Sequence, residues 1–256
     1  MWHDLGFTDD EARAALGAMR QVLGADRALE APEVELLEVA AKIMGRPTRA
    51  VDVAPLEPVA VARLASGARV RERIVQSAIL ASLMDGVVDA EEAASVRALA
   101  ASLEVDEPRL SALSHLARGR TALAWLDIAR RSFARDAFEK ALGDGGPAGL
   151  YKIVAPLVGL GTDSTLAARY IGLGELGPGT LGRAYFEFLV RNELPFPGEH
   201  RAVPEAGVWH DVTHVLAGYE TSDEEEVLVV SFIAGYRRED AFFWIFTIAL
   251  QYHLGI

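Results

Sequence analysis

The chain has 256 residues, 51% of them apolar and 24% charged, and a net charge of −12. That balance excludes disordered and fibrous classes, and it argues against nucleic acid, whose phosphates need a clustered positive surface. With no cysteine in the chain, disulfides, thiolate nucleophiles and thiolate metal sites are excluded, so any metal must be held by nitrogen and oxygen. Met1-Trp2-His3-Asp4 lacks a basic region followed by an apolar one, which leads to the expectation of a cytoplasmic protein, at most peripheral to the inner face of the membrane. The longest near-continuous apolar run, Ala241 to Ile256, falls short of the ~20 residues that span a bilayer and carries Gln251 and His253.

The pattern along the chain is helical, and the length suits two domains. Thr8 and Glu11 form a capping box opening a first helix whose stripe is Leu16, Met19, Val22 and Leu23. Pro32 sits early in a second helix, with Val34, Leu36, Leu37, Ala40, Ala41, Ile43 and Met44 on its period up to Gly45. A segment with Pro47, Pro55 and Pro58 leads to a further helix from about Arg69 to Met84. Asp89 and Glu92 suit a second capping box opening a helix to about Leu103, Asp106 with Pro108 starts another, and a long one is expected from about Arg120 to Leu142. At an offset of 59 residues, Asp26 aligns with Asp85, Glu30 with Asp89, Glu33 with Glu92, Leu37 with Val96 and Met44 with Leu103. A duplicated helix, acidic loop and helix is the expectation.

Met84-Asp85-Gly86-Val87-Val88-Asp89, with Glu92 three residues on, resembles the acidic aspartate-glycine turn of the TerB-like family. The resemblance covers residues 8 to 142 and implies a small all-helical domain of the kind found in bacterial stress and tellurite-resistance systems. It also implies that Asp85, Asp89 and Glu92 bear on divalent cations. The same residues serve as well as caps and a turn, and the loop is too short for the 12-residue calcium arrangement.

Gly143 to Gly149, rich in glycine and interrupted by Pro147, marks the expected linker, with domains at 1–142 and 150–256. Beyond it come an apolar stretch from Leu150 to Leu160, a short helix near Ser164 to Ile171, and a glycine-rich turn over 172–179. That turn lacks the lysine and threonine of a phosphate-binding loop. Thr180 caps a helix through Asn192.

The most informative stretch is Val208 to Glu226. His210 and His214 stand one helical turn apart, roughly 40° from each other around the axis, and Asp211 lies within about 100° of His210. Gly218 closes that helix, and Ser222 with Glu225 suits a third capping box, which puts Glu226 in the first turn of the next helix. A helical hairpin brings Glu226 opposite His214. Two imidazoles with carboxylates suit zinc, iron, manganese or cobalt. Asp211 stands where zinc proteases have glutamate, open to the roles of ligand, orienting partner or proton acceptor. His3, His115, His200 and His253 have no such company.

His210-Asp211-x-x-His214, then eleven residues and Glu226, resembles the metal-ligand motif of the Coq-four family of ubiquinone (coenzyme Q) biosynthesis. The run from Pro178 to Leu189 resembles that family's preceding helix, so the likeness covers roughly residues 150 to 256. It implies a helical domain that holds one divalent metal, zinc before iron or manganese, through His210, Asp211, His214 and Glu226. Asp211 is the candidate catalytic group. The implied role is to act on or present a polyprenylated aromatic precursor, with oxidative decarboxylation at its C1 as the associated reaction. Implied partners are that precursor or another lipid, a peripheral membrane contact and other biosynthetic proteins. The apolar C-terminal segment, with Phe232, Phe242, Phe243, Trp244, Phe246 and Tyr252, suits a prenyl chain, core packing or an interface between copies. The competing expectation is a non-enzymatic scaffold or stress-response adaptor with a structural metal.

Overall fold

The structure, a computed structural model, describes residues 6–24, 28–121, 162–237 and 240–254, together with residues 123, 124, 127, 128, 143 and 146. Among these residues the fold is all-α, with eleven α-helices of defined bounds and no strand. The chain groups into two compact units, residues 1–128 with 246–256, and residues 129–245. The expected long helix over 120–142, the linker over 143–149 and the apolar stretch over 150–160 lie almost wholly outside the described residues.

In the first unit α1 spans Asp9–Val22, α2 Ala31–Ile43, α3 Pro58–Leu64, α4 Ala68–Ala81, α5 Ala90–Leu103 and α6 Arg109–Leu116. The α1 capping box forms as expected: Glu11 N donates to Thr8 Oγ1 at 3.3 Å, and Thr8 N to Glu11 Oε2 at 2.8 Å. Its stripe of Leu16, Met19, Val22 and Leu23 is buried. Leu16, Met19 and Leu23 share a core with Leu37, Ala41, Ala50 and Ala81. Each large apolar side chain removed from water there contributes about 1.5–3 kcal/mol.

The offset of 59 residues extends further than the acidic loops. Displaced by it, Asp9–Val22 falls on Ala68–Ala81, and α2 falls on α5. Equivalent positions are buried alike: Ala15 with Ile74, Leu16 with Val75, Met19 with Ala78, and Leu37 with Val96. Between the two copies, a 3-10 turn at Ala50–Asp52 and the short helix α3 occupy what the sequence shows as a proline segment. Pro58 is the first residue of α3, where its missing N–H costs nothing and its fixed φ suits a helix start. Gly17 of α1 lies against Leu56, and a Cβ there would meet Leu56 Cγ at 2.5 Å, so glycine is required for this approach.

In the second unit α7 spans Ser164–Ile171, α8 Leu181–Arg191, α9 Val208–Ala217 and α10 Asp223–Arg237. The last helix, α11, spans Ala241–Leu254. Thr180 caps α8 by accepting from Arg183 N at 3.3 Å. Tyr185, Phe188 and Leu189 then project from one face at helical spacing, and Val208, Val212 and Val215 pack against them. This seats α9 on α8. The glycine-rich run at 172–179 is a 3-10 turn and loop, as expected. Among the described residues no helix is long and apolar enough to cross a membrane.

Candidate metal centre

Gly218 ends α9 at a φ of 75°, a left-handed conformation that suits glycine, and its N–H closes onto His214 O at 2.9 Å. Four residues later Ser222 starts α10, accepting from Glu225 N at 3.4 Å. The expected box is only half formed there, because the Glu225 carboxylate takes the Ser222 hydroxyl at 2.8 Å. The short turn leaves Glu226 at the head of α10, facing the two histidines of α9.

Three side chains converge. His210 Nε2 lies 2.9 Å from Glu226 Oε1, His214 Nε2 lies 2.8 Å from Glu226 Oε2, and the two Nε2 atoms are 3.3 Å apart. Among the described residues this is the only set of three or more histidine, aspartate or glutamate groups whose ligand atoms gather so closely. At zinc–nitrogen distances of about 2.0–2.1 Å, tetrahedral ligand atoms stand about 3.3 Å apart. The two imidazole nitrogens already have that separation, and the two nitrogen–oxygen contacts, at hydrogen-bond length, would open by about 0.5 Å around an ion.

The donor chemistry is consistent with that geometry. His214 Nδ1 is 2.8 Å from the carbonyl of Glu220, which can only accept, so Nδ1 carries a proton and the neutral ring presents its Nε2 lone pair to the cluster. His214 is 2% exposed, whereas the side chains of His210 and Glu226 are 27% and 24% exposed, so the cluster has a buried wall and an open side. The Phe188 and His214 ring centroids lie 5.6 Å apart, and the Trp209 and His210 rings stand nearly perpendicular with centroids 6.2 Å apart. Burial would raise the Glu226 carboxyl, but the hydrogen bonds and charges of His210 and His214 outweigh it and hold the group at about 2. Burial likewise pushes His214 down, and the Glu226 carboxylate more than reverses that, leaving the imidazole above its ordinary value. Glu226 and His214 are thus hydrogen-bonded partners that favour a carboxylate beside a histidine, and a divalent cation would have to displace the proton they share.

Asp211, the fourth expected ligand, does not join the convergence. One residue on from His210, it is turned about 100° around the helix, and its buried Oδ2 accepts from the Tyr185 hydroxyl of α8 at 3.1 Å. Burial raises the Asp211 carboxyl, against the opposing effects of the Tyr185 hydrogen bond and the nearby histidines. The same burial, with Asp211 beside it, raises the Tyr185 hydroxyl far above its usual value. Tyr185 is thus the partner that sequence reasoning missed, although it stands inside the run from Pro178 to Leu189. Its signal is its place with Phe188 on the inward face of α8, where a hydroxyl needs an acceptor.

In the first unit the acidic turn is used differently. Asp85 Oδ1 accepts from Val87 N at 3.0 Å, and Asp89 Oδ1 caps α5 by accepting from Glu92 N at 2.7 Å. Asp85, Asp89 and Glu92 do not form a converging ligand set. The chain matches no protein-family model, no curated protein and no solved structure.

Proposed function

We propose that the second unit holds one divalent metal through His210, His214 and Glu226, zinc before iron or manganese, and that it acts on or presents a polyprenylated aromatic precursor of the ubiquinone type. The observation that carries the metal is the meeting of two imidazole nitrogens and a carboxylate from two helices. The substrate class rests on the Coq-four resemblance of the motif and of the run before it. Three protein donors are one fewer than a closed structural zinc site uses, which favours a centre with room for an exogenous group. When bound, the metal polarises an oxygen substituent of the ring as a Lewis acid; zinc has no redox role, so oxidative loss of the C1 carboxyl calls for a redox metal or an external oxidant.

The chain's own residues supply the rest. His214 is fixed by Glu220 O, Tyr185 holds the Asp211 carboxylate next to His210, and Trp209 and Phe188 provide apolar walls. Asp211, outside the ligand set but one residue from His210, remains the candidate catalytic group. On the outward face of α10, Leu228, Phe232 and Tyr236 are 47%, 52% and 50% exposed, which supports contact with a lipid, a membrane surface or another copy. The test is binding of a prenylated hydroxybenzoate to metal-loaded protein: affinity that disappears on metal removal supports the reading, and affinity indifferent to metal overturns it.

A second reading draws on the same geometry. Because Glu226 reaches across from α10 to two histidines of α9, a metal there also staples the hairpin, as a structural site in a scaffold or stress-response adaptor does. Glu226→Gln separates the two: loss of fold together with metal favours the staple, and loss of metal with the fold intact favours the substrate-binding centre.

A further inference from the structure

We infer that Asn192 and Glu220, whose side chains lie outside the converging ligand set, set the affinity of the metal centre by fixing the ring of His214; this rests on the metal-binding reading above. Among the described residues the His214 imidazole has one polar anchor besides the cluster, the backbone carbonyl of Glu220, at 2.8 Å from Nδ1. That carbonyl sits in the turn between α9 and α10, so its position depends on what holds the turn.

The hold comes from the C-terminal end of α8. Asn192 Nδ2 donates to Glu220 Oε2 at 3.1 Å and to Phe188 O at 3.0 Å, while Asn192 Oδ1 accepts from Thr221 Oγ1 at 3.1 Å. Arg191 adds an ion pair to Glu220 Oε1 at 2.9 Å. Arg191, the last residue of α8, and its C-cap Asn192 thus grip two consecutive residues of the turn. Asparagine can do this because its amide donates and accepts at once, which neither aspartate nor leucine does. The side-chain contacts are exposed and individually weak. Their effect is directional: they place one carbonyl, and the carbonyl selects the imidazole tautomer whose Nε2 is free for metal. Groups hydrogen-bonded directly to a ligand typically change metal affinity about 10- to 100-fold, and Asn192 and Glu220, acting through such a group, belong at the lower end of that range.

The experiment titrates Co²⁺ into the full chain, read by its visible absorption, for wild type, Asn192→Ala, Glu220→Ala and Glu220→Gln. Asn192→Ala and Glu220→Ala should weaken cobalt binding about tenfold. Glu220→Gln, which keeps an acceptor for Asn192, should stay within about threefold of wild type. A parallel measurement on metal-free protein, at a pH high enough that His214 is neutral, follows its ring nitrogens by ¹⁵N NMR, where wild type should show Nδ1–H and the two alanine variants a mixture of tautomers. Wild-type cobalt affinity in both alanine variants overturns the inference. Should wild type itself take up no cobalt, the metal reading falls, and the NMR arm decides the positioning claim alone: an unchanged tautomer in the variants overturns it.

Discussion

Two helical hairpins in this molecule place acidic residues at the start of their second helix, and they use them in opposite ways. Between α4 and α5, Asp85 and Asp89 turn back onto backbone amides of their own segment, closing the turn and capping the helix. Between α9 and α10, Ser222 takes over the capping, and Glu226 reaches across to the preceding helix. The carboxylates are chemically alike. What differs is whether local amides claim them and whether the facing helix offers nitrogen donors, which α9 does with His210 and His214 one turn apart. Of these two turns, only the one between α9 and α10 meets both conditions.

The largest expected effects probe that contrast directly. Replacing His210 and His214 together by alanine should abolish metal retention, measured by elemental analysis, while Asp85→Asn and Asp89→Asn leave it unchanged. Metal loss in the acidic-turn variants would dissolve the distinction. Next in size is Tyr185→Phe, which leaves the buried Asp211 carboxylate without its hydroxyl donor and should cost about 1–3 kcal/mol in denaturant unfolding. Asp89→Ala removes a helix cap and should cost about 1 kcal/mol, confined to the stability of the first unit. Gly218→Ala forces a side chain into a left-handed φ and should cost about 1 kcal/mol, also loosening the turn that carries Glu220.

The smallest effect is a pH dependence of the metal-free protein. Glu226 sits below its ordinary value of 4.5, so its contribution is present above about that pH and is lost as pH falls toward about 2. His214 sits above its ordinary value of 6.5, so its contribution is complete below that pH and is lost as pH rises through the folded value. The Tm difference between wild type and Glu226→Gln should therefore be largest between about pH 4.5 and 6.5 and shrink on either side.

Much of this organisation was legible from residue patterns. The α1 capping box and the starts of α5, α7 and α8 follow from caps and periodicity, the 59-residue repeat from aligning the chain with itself, and the facing of His210, His214 and Glu226 from a hairpin turn together with the spacing of the resembled motif. The short helix α3 was hidden because three prolines read as breakers, although Pro58 serves as a helix start. The fate of Asp211 was hidden for another reason. Spacing along α9 places it near His210, but only the packing of α8 brings Tyr185 to claim it, and that contact spans 26 residues of sequence. The positioning role of Asn192 and Glu220 was likewise out of reach, since it runs through a backbone carbonyl that has no signature in residue type.

The most direct test is elemental analysis of the full chain purified without chelator, compared with the His210→Ala, His214→Ala double variant. The account predicts one divalent ion per chain in wild type and none in the variant, with both retaining helical circular dichroism. A wild-type protein that is folded, metal-free and unable to take up zinc, iron or manganese would contradict it.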